Sequence, residues 1–494
     1  MTTQIHTLAI GLALTAYIAA AIVVARHRIG TRLRVLFALA TVVFVVLSIL
    51  YGVAFYFNGR GVDRAVVYHL TTGLEGAGFR DFAWLIALSS LVLAAGLGVP
   101  LYATMRRHDS ARRVRLHTEL VSLALLAFSV TAHPATLDLY TLFAPSRGET
   151  EIRFDLAYRP PAPITASGRP LNLVLIYLES FERAYLDAPA LRDLAPGLRQ
   201  LEDEALSFTE INQYEGGGWT IAGMVTSQCG LPLEIPKTWG NIFEAASFLP
   251  NATCMGDLLK GAGYHLAYLG GASLTFGNKG MFYRTHGYDE VLGREDLEGR
   301  LADHDYQSSW GLYDDTTLDI AYQKYLELSQ REEPFALSMV TVDTHMPEGH
   351  LSASCGDRRF TGADSAMLDA VHCSDALVSA FVRKIRQSPS ADNTLVVLAS
   401  DHLGFYHEAY KHVMHEKRRI LFLALPPGAA PGRKVGRPGS QMDIGVTTLR
   451  LMGFDVGSLG LGRDLLGDAA TLPEMSADPD ALVTAWLPKS AAFW

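Results

Sequence analysis

Residues 171–180 read LNLVLIYLES, a run of branched and aromatic side chains that ends abruptly on Glu179-Ser180. A near-continuous apolar run of this length fits a strand buried on both faces, as in a parallel sheet. Two further stretches end the same way. FALSMVTV (335–342) runs into Asp343-Thr344-His345, and TLVVLA (394–399) into Ser400-Asp401-His402. Tyr264–Leu269 and Arg419–Leu425 are weaker strand candidates. Helical patterns lie between them, at Leu191–Ala205, Thr317–Ser329 and Ser365–Gln387. This alternation predicts an α/β domain with a mostly parallel central sheet over 171–475, followed by a C-terminal tail, 476–494. Open α/β sheets bind ligands at the carboxyl ends of their strands. Three strands are therefore expected to bring carboxylates and imidazoles to one edge.

Toward the N-terminus the character changes. Four apolar segments, Leu8–Ala25, Val35–Phe57, Phe82–Tyr102 and Leu120–Ala132, predict a multi-pass α-helical membrane domain over 1–133. The loop after the first segment carries Arg26, Arg28, Arg32 and Arg34; the loop after the third carries Arg106, Arg107, Arg112, Arg113 and Arg115. Both read as cytoplasmic, which places the N-terminus, the Gly59–Arg80 loop and everything after the fourth segment outside. The stretch 134–170, rich in proline and turn residues, reads as a juxtamembrane connector. The formal charge of −9 argues against nucleic acid as a partner, because phosphate backbones need dense Lys/Arg patches. Few ionisable residues fall in the spans, unlike a transport path. The four cysteines, Cys229, Cys254, Cys355 and Cys373, all lie in the outer half. Short separations suggest Cys229–Cys254 and Cys355–Cys373 as disulfides in an oxidising compartment, although three pairings are possible.

EGGGWT (215–220) leads into a short helical pattern over Ile221–Gln228. A hydroxyl at a helix N-terminus sits beside free N–H groups and the positive end of the dipole, which favour phosphate. Glu179, Asp401 and His402 form an oxygen-and-nitrogen set that suits Mn²⁺, Mg²⁺ or Zn²⁺. A divalent metal held by these residues and by Thr220 would turn the hydroxyl into a nucleophile at neutral pH.

Five stretches carry a resemblance: NLVLIYLESFERAYLD (172–187), GGGWTIAGMVTSQCGLPL (216–233), GGASLTFGNKGMFYRTHGYD (270–289), TVDTHMPEGHL (341–351) and LVVLASDHL (395–403). They resemble the alkaline phosphatase/sulfatase superfamily. Within it they are most similar to the membrane phosphoglycerol transferases of osmoregulated periplasmic glucans, and more distantly to lipoteichoic acid synthases. The resemblance implies a bacterial inner-membrane enzyme that moves the glycerol-phosphate headgroup of phosphatidylglycerol to a periplasmic glucan. It implies a phosphoglycerol-threonine intermediate on Thr220, release of diacylglycerol and one divalent metal, Mn²⁺ first, held by Glu179, Thr220, Asp401 and His402. Lys279 and His345 match phosphate- and substrate-side residues of the synthases, which also place a Trp nearby where this chain has Phe276-Gly277. Trp219, Asp343 and His350 are further substrate-side candidates. Asp443 is expected to cap a helix. Two alternatives stand beside this reading: a phosphoethanolamine transferase acting on lipid A or glucan, and a catalytically silent membrane-anchored sensor. A sulfatase activity is disfavoured, because no Cys/Ser-x-Pro-x-Arg motif lies around position 220.

Overall fold

The computed structural model describes residues 2–26, 31–105, 116–144, 152–165, 168–235, 246–405, 408–428 and 431–494. The chain forms two compact units. One is Met1–Val67 with Phe79–Pro145; the other is Tyr68–Gly78 with Ser146–Trp494.

The first unit is helical. Thr2–Arg26 packs on Leu116–Thr131, and Thr31–Asn58 on Ala83–Met105. Ala13, Ala16, Ala20 and Val24 recur every three or four residues on one buried face of the first helix. Small side chains at that spacing let helices approach closely without a hydrophobic driving force between them. Ala20 and Val24 meet Leu33, Phe37 and Leu126, and Tyr17 stacks on Phe44 at 4.6 Å. Among the described residues, two helices are long and apolar enough to cross a membrane, His6–Val24 and Thr31–Asn58. The third expected span corresponds to helix Ala83–Met105, of which Ala83–Gly98 is apolar. The fourth differs from expectation: His117–Thr131 is bent by 60° against Pro134–Phe143. The bend has a local cause. Pro134 cannot donate to the preceding helix and sits at the start of a new one, where the His133 side chain accepts from Ala135 N. The expected connector therefore begins as helix. Arg28 and the arginines at 106–115 lie outside the described residues.

The second unit is built on an eight-stranded sheet. In chain order its strands are β1 (Asn172–Leu178), β2 (Leu206–Phe208), β3 (His265–Gly270), β4 (Glu290–Leu292), β5 (Phe335–Val340), β6 (Thr394–Ser400), β7 (Phe422–Leu425) and β8 (Arg433–Val435). The spatial order is β4-β3-β5-β1-β6-β7-β2-β8. The five strands from β4 to β6 are parallel; β7 runs antiparallel to both β6 and β2. Central β1 is buried at every position, with Leu178 in register with Ser400 and Tyr177 with Val340. β1, β5 and β6 thus end side by side, and the residues after them share one edge. Helices Asp314–Leu328 and Ala366–Arg386 pack on each other, and the first lies on β3 and β5. The stretch expected as a tail instead forms helix Pro479–Ser490. It buries Val483, Trp486 and Leu487, with the Trp486 indole N–H donating to Ile152 O at 3.0 Å.

Candidate active site

The site begins where β1 stops. Glu179 follows the last strand residue, and its N–H donates to Thr341 Oγ1 at 3.0 Å, just past β5. Ser180 then takes φ of 51°, a left-handed conformation that an L side chain adopts only when its surroundings impose it. Two hydrogen bonds impose it here: Ser180 N donates to Asp401 Oδ1 at 2.9 Å, and Ser180 Oγ to Glu179 Oε1 at 2.8 Å. Asp401 and His402 follow β6. His402 Nε2 lies 3.4 Å from Glu179 Oε1 and 3.5 Å from Asp401 Oδ2. Thr220 opens helix Thr220–Cys229, and its hydroxyl donates to Glu179 Oε2 at 3.2 Å. That helix lies against the turn after β6: a Cβ on Gly223 would fall 1.7 Å from the Asp401 carbonyl oxygen. Only glycine allows the approach. Gln441 Nε2 ties the same carbonyl to Gly217 O, at 2.7 and 3.2 Å.

Charge in this pocket is crowded. Burial would raise Glu179, but its hydrogen bond to His402 and the fields of His345 and His402 outweigh it and hold the carboxyl below the usual range. Asp401 is pushed well up by burial and by Glu179. Burial would lower His402, but Asp401 and Glu179 carry it to about 9. Two buried carboxylates so close cannot both stay ionised without a cation. Asp401 Oδ2 is buried without a hydrogen-bond partner among the described residues. One ligand atom from each of Glu179, Asp401 and His402 lies within 4.8 Å of the others. The donor set and the orphaned oxygen fit one divalent metal ion.

A second group of residues adjoins the first. Buried Lys279 feels Glu179 and Asp401, yet burial dominates and lowers it to about 8. Its ammonium donates to Phe276 O at 2.7 Å and lies 5.1 Å from the Phe276 ring centre. His345 Nδ1 pairs with Met346 O at 2.9 Å, and burial holds its pKa below the ordinary value. The ring lies against Trp310, 3.8 Å between centres and tilted by 31°, and Trp310 lies 5.5 Å from Phe276. Trp219 is buried against Tyr68 at 5.6 Å. Asp343 and His350 are placed differently. Asp343 accepts from Ser352 Oγ at 2.5 Å, and burial with the Asp314 charge raises it. The His350 ring is edge-on to Tyr313 at 6.4 Å. Cys229–Cys254 and Cys355–Cys373 are both bonded, the first fastening the far end of the Thr220 helix. Asp443 accepts from Ser440 N and Arg463 N at the start of helix Asp443–Leu451.

The model of the sulfatase family matches residues 171–454. The chain belongs to the sulfatase family. Residues 6–151 match a second model, described as the N-terminal domain of phosphoglycerol transferase I. Among curated relatives, phosphoglycerol transferase I of Escherichia fergusonii is 37% identical over 456 residues, covering 91% of this chain and 59% of that protein. The protein of the same name from Escherichia coli strain 55989 is 36% identical over 453 residues, with the same coverage. The chain thus spans about three-fifths of the length of these relatives. Among solved structures, a protein of the alkaline phosphatase superfamily from Vibrio parahaemolyticus aligns with TM-score 0.51 and 24% identity, covering 67% of this chain and 78% of its own. A lipoteichoic acid synthase of Listeria monocytogenes gives 0.51 and 18%, covering 67% and 95%. These likenesses show the fold. Sulfatase-family members bind a divalent metal, in keeping with the cluster at 179, 401 and 402.

Proposed function

We propose that the chain transfers the phosphoglycerol headgroup of phosphatidylglycerol to a periplasmic glucan, with Thr220 as the nucleophile. The observation that carries this reading is the Thr220 hydroxyl, 3.2 Å from Glu179, at a helix N-terminus inside a carboxylate–imidazole cluster. The similarity of both halves of the chain to phosphoglycerol transferases I supports the choice of group. Thr220 Oγ bonds to phosphorus, and the bond from phosphorus to the diacylglycerol oxygen breaks. A glucan hydroxyl then displaces Thr220 from the phosphoglycerol-threonine. Glu179, Asp401, His402 and Thr220 would hold the metal, Mn²⁺ in this reading. When bound it offsets negative charge on the phosphoryl oxygens and lowers the pKa of the threonine hydroxyl. Lys279 faces the phosphate as an ammonium. His345 stands on the substrate side, its Nδ1 tied to Met346 O and its pKa held below the ordinary value by burial. The Thr220 hydroxyl proton, directed at Glu179 Oε2, passes to the departing diacylglycerol oxygen, and in the second step the glucan hydroxyl proton returns to the Thr220 oxygen.

The four-span topology, with catalytic unit and N-terminus in the periplasm of the inner membrane, belongs to the same proposal; two disulfides in that unit support an oxidising compartment. Incubating the full chain with phosphatidylglycerol and Mn²⁺, then weighing its peptides, tests the reading. A phosphoglycerol adduct on Thr220, lost in Thr220→Ala, is expected. An adduct formed from phosphatidylethanolamine alone would replace the donor, and the absence of any adduct would overturn the transferase reading.

A further inference from the structure

Tyr68–Gly78 comes from the sequence between two apolar helices, yet it packs as part of the catalytic unit. Its fit there is close. A Cβ on Gly76, at φ of +80°, would fall 2.6 Å from Ser273 Oγ, and the Glu75 carbonyl accepts from Thr275 Oγ1 at 3.5 Å. Tyr68 is fully buried and donates its hydroxyl proton to Gly277 O at 3.1 Å. Tyr68 also leans on Trp219, the residue before the nucleophile. These contacts place the His69 ring flat on Phe276, 4.7 Å between centres and 3° from coplanar. His69, Phe276, Trp310 and His345 therefore form one aromatic row, with the Lys279 ammonium beside Phe276.

One atom in this row has no structural role. His69 Nδ1 is shut off from solvent and has no hydrogen-bond partner among the described residues. Buried polar atoms are nearly always paired, and an orphan calls for an explanation. The groups around His69 are aromatic, cationic or imidazole; the charges it feels are those of Lys279 and His345. Burial, then those two neighbours, lowers its pKa to about 3, so the ring is neutral near pH 7. A neutral imidazole beside a lysine suits an uncharged hydroxyl on an anionic ligand, and disfavours an ammonium headgroup.

We propose that His69 Nδ1 hydrogen-bonds a hydroxyl of the uncharged polyol end of the donor's phosphodiester headgroup, so that His69 determines headgroup specificity. This rests on the phosphoglycerol-transfer reading above. The test uses full-length protein with Mn²⁺ in detergent micelles containing either phosphatidylglycerol or phosphatidylethanol, whose headgroup has no hydroxyl. The readout is diacylglycerol release. His69→Phe keeps the stack on Phe276 and removes the nitrogen; His69→Asn keeps a polar atom near the place of Nδ1. In His69→Phe, the ratio of kcat/KM for phosphatidylglycerol over phosphatidylethanol is expected to fall about tenfold, the scale of one hydrogen bond. The loss should appear mainly in KM, and His69→Asn should recover part of it. If both variants turn over phosphatidylglycerol with the wild-type ratio, the inference is wrong while the transfer reading stands. If His69→Phe does not fold, an unchanged ratio in folded His69→Leu, which also lacks a polar atom, overturns it. Wild-type protein that releases no diacylglycerol from phosphatidylglycerol would sink the transfer reading itself.

Discussion

The two ends of the site are built from different materials. Thr220, Glu179, Asp401 and His402 sit at the ends of buried parallel strands and at a helix start, where backbone register leaves little room for adjustment. The end around Lys279, Phe276, Trp310, His345 and His69 is assembled from loops and stacked rings. The first concentrates opposite charges in a dry pocket, the conditions under which hydroxyl chemistry on phosphorus is achievable. The second offers one cation, flat apolar faces and a few polar atoms, the composition of a recognition surface. The contrast suggests that changes at the strand ends abolish turnover, whereas changes in the aromatic row alter which donor is used and how tightly.

The largest effect is expected at Thr220. Thr220→Ala should cost about 10⁴-fold or more in diacylglycerol release while the circular dichroism spectrum is retained. Residual activity within tenfold of wild type would break the assignment. Next comes Gly223→Ala, which drives a methyl into the Asp401 carbonyl. Overpacking here should destabilise the chain by about 1–3 kcal/mol and weaken Mn²⁺ binding, read by denaturant midpoint and by metal titration. Unchanged metal affinity would mean that the Thr220 helix and the Asp401 turn are not mechanically joined.

Lys279 sharpens the comparison through pH. Its folded pKa, about 8, lies below the ordinary 10.5 because it is buried. Below pH 8 it is protonated in both folded and unfolded chains, and the folded state bears the cost of a buried ammonium. Between about 8 and 10.5 the unfolded chain binds more protons, so this residue makes stability rise with pH. Donor binding should run the opposite way, with KM for phosphatidylglycerol rising through about pH 8 as the ammonium is lost. Lys279→Arg should carry that limb to higher pH; a limb left in place would assign it to another group. The smallest effect is expected for Trp310→Leu. Losing its ring contact with His345 removes about 0.5–1.5 kcal/mol, which should appear as a several-fold higher KM with kcat nearly unchanged. A loss confined to kcat would move Trp310 to the chemical end.

Legibility in the sequence follows the same division. The strand ends could be read because buried parallel strands are continuous apolar runs and the polar residues after them stand out, as at Glu179 and Asp401-His402. The Thr220 helix was marked by three glycines before it. His69, Trp310, Gln213 and Gln441 gave no signal. Gln213 Oε1 accepts from Leu403 N at 2.7 Å, and Gln441 braces the Asp401 carbonyl; each is an isolated polar residue whose partner is far along the chain. His69 lies more than two hundred residues from Phe276, in a stretch read only as an outer loop. The tightness of Gly76 against Ser273 gives its role away, and no local pattern encodes that contact.

By itself, then, the sequence determined the α/β architecture, the apolar front end and the chemistry available at three strand ends. Periodicity and abrupt changes of polarity are local properties of a chain. The tertiary structure alone decided that Tyr68–Gly78 joins the catalytic unit, that Trp310 stands between Phe276 and His345, and that residues 479–490 close onto the domain. Those outcomes depend on packing between segments remote in the chain, where shape and buried polar atoms select the partner.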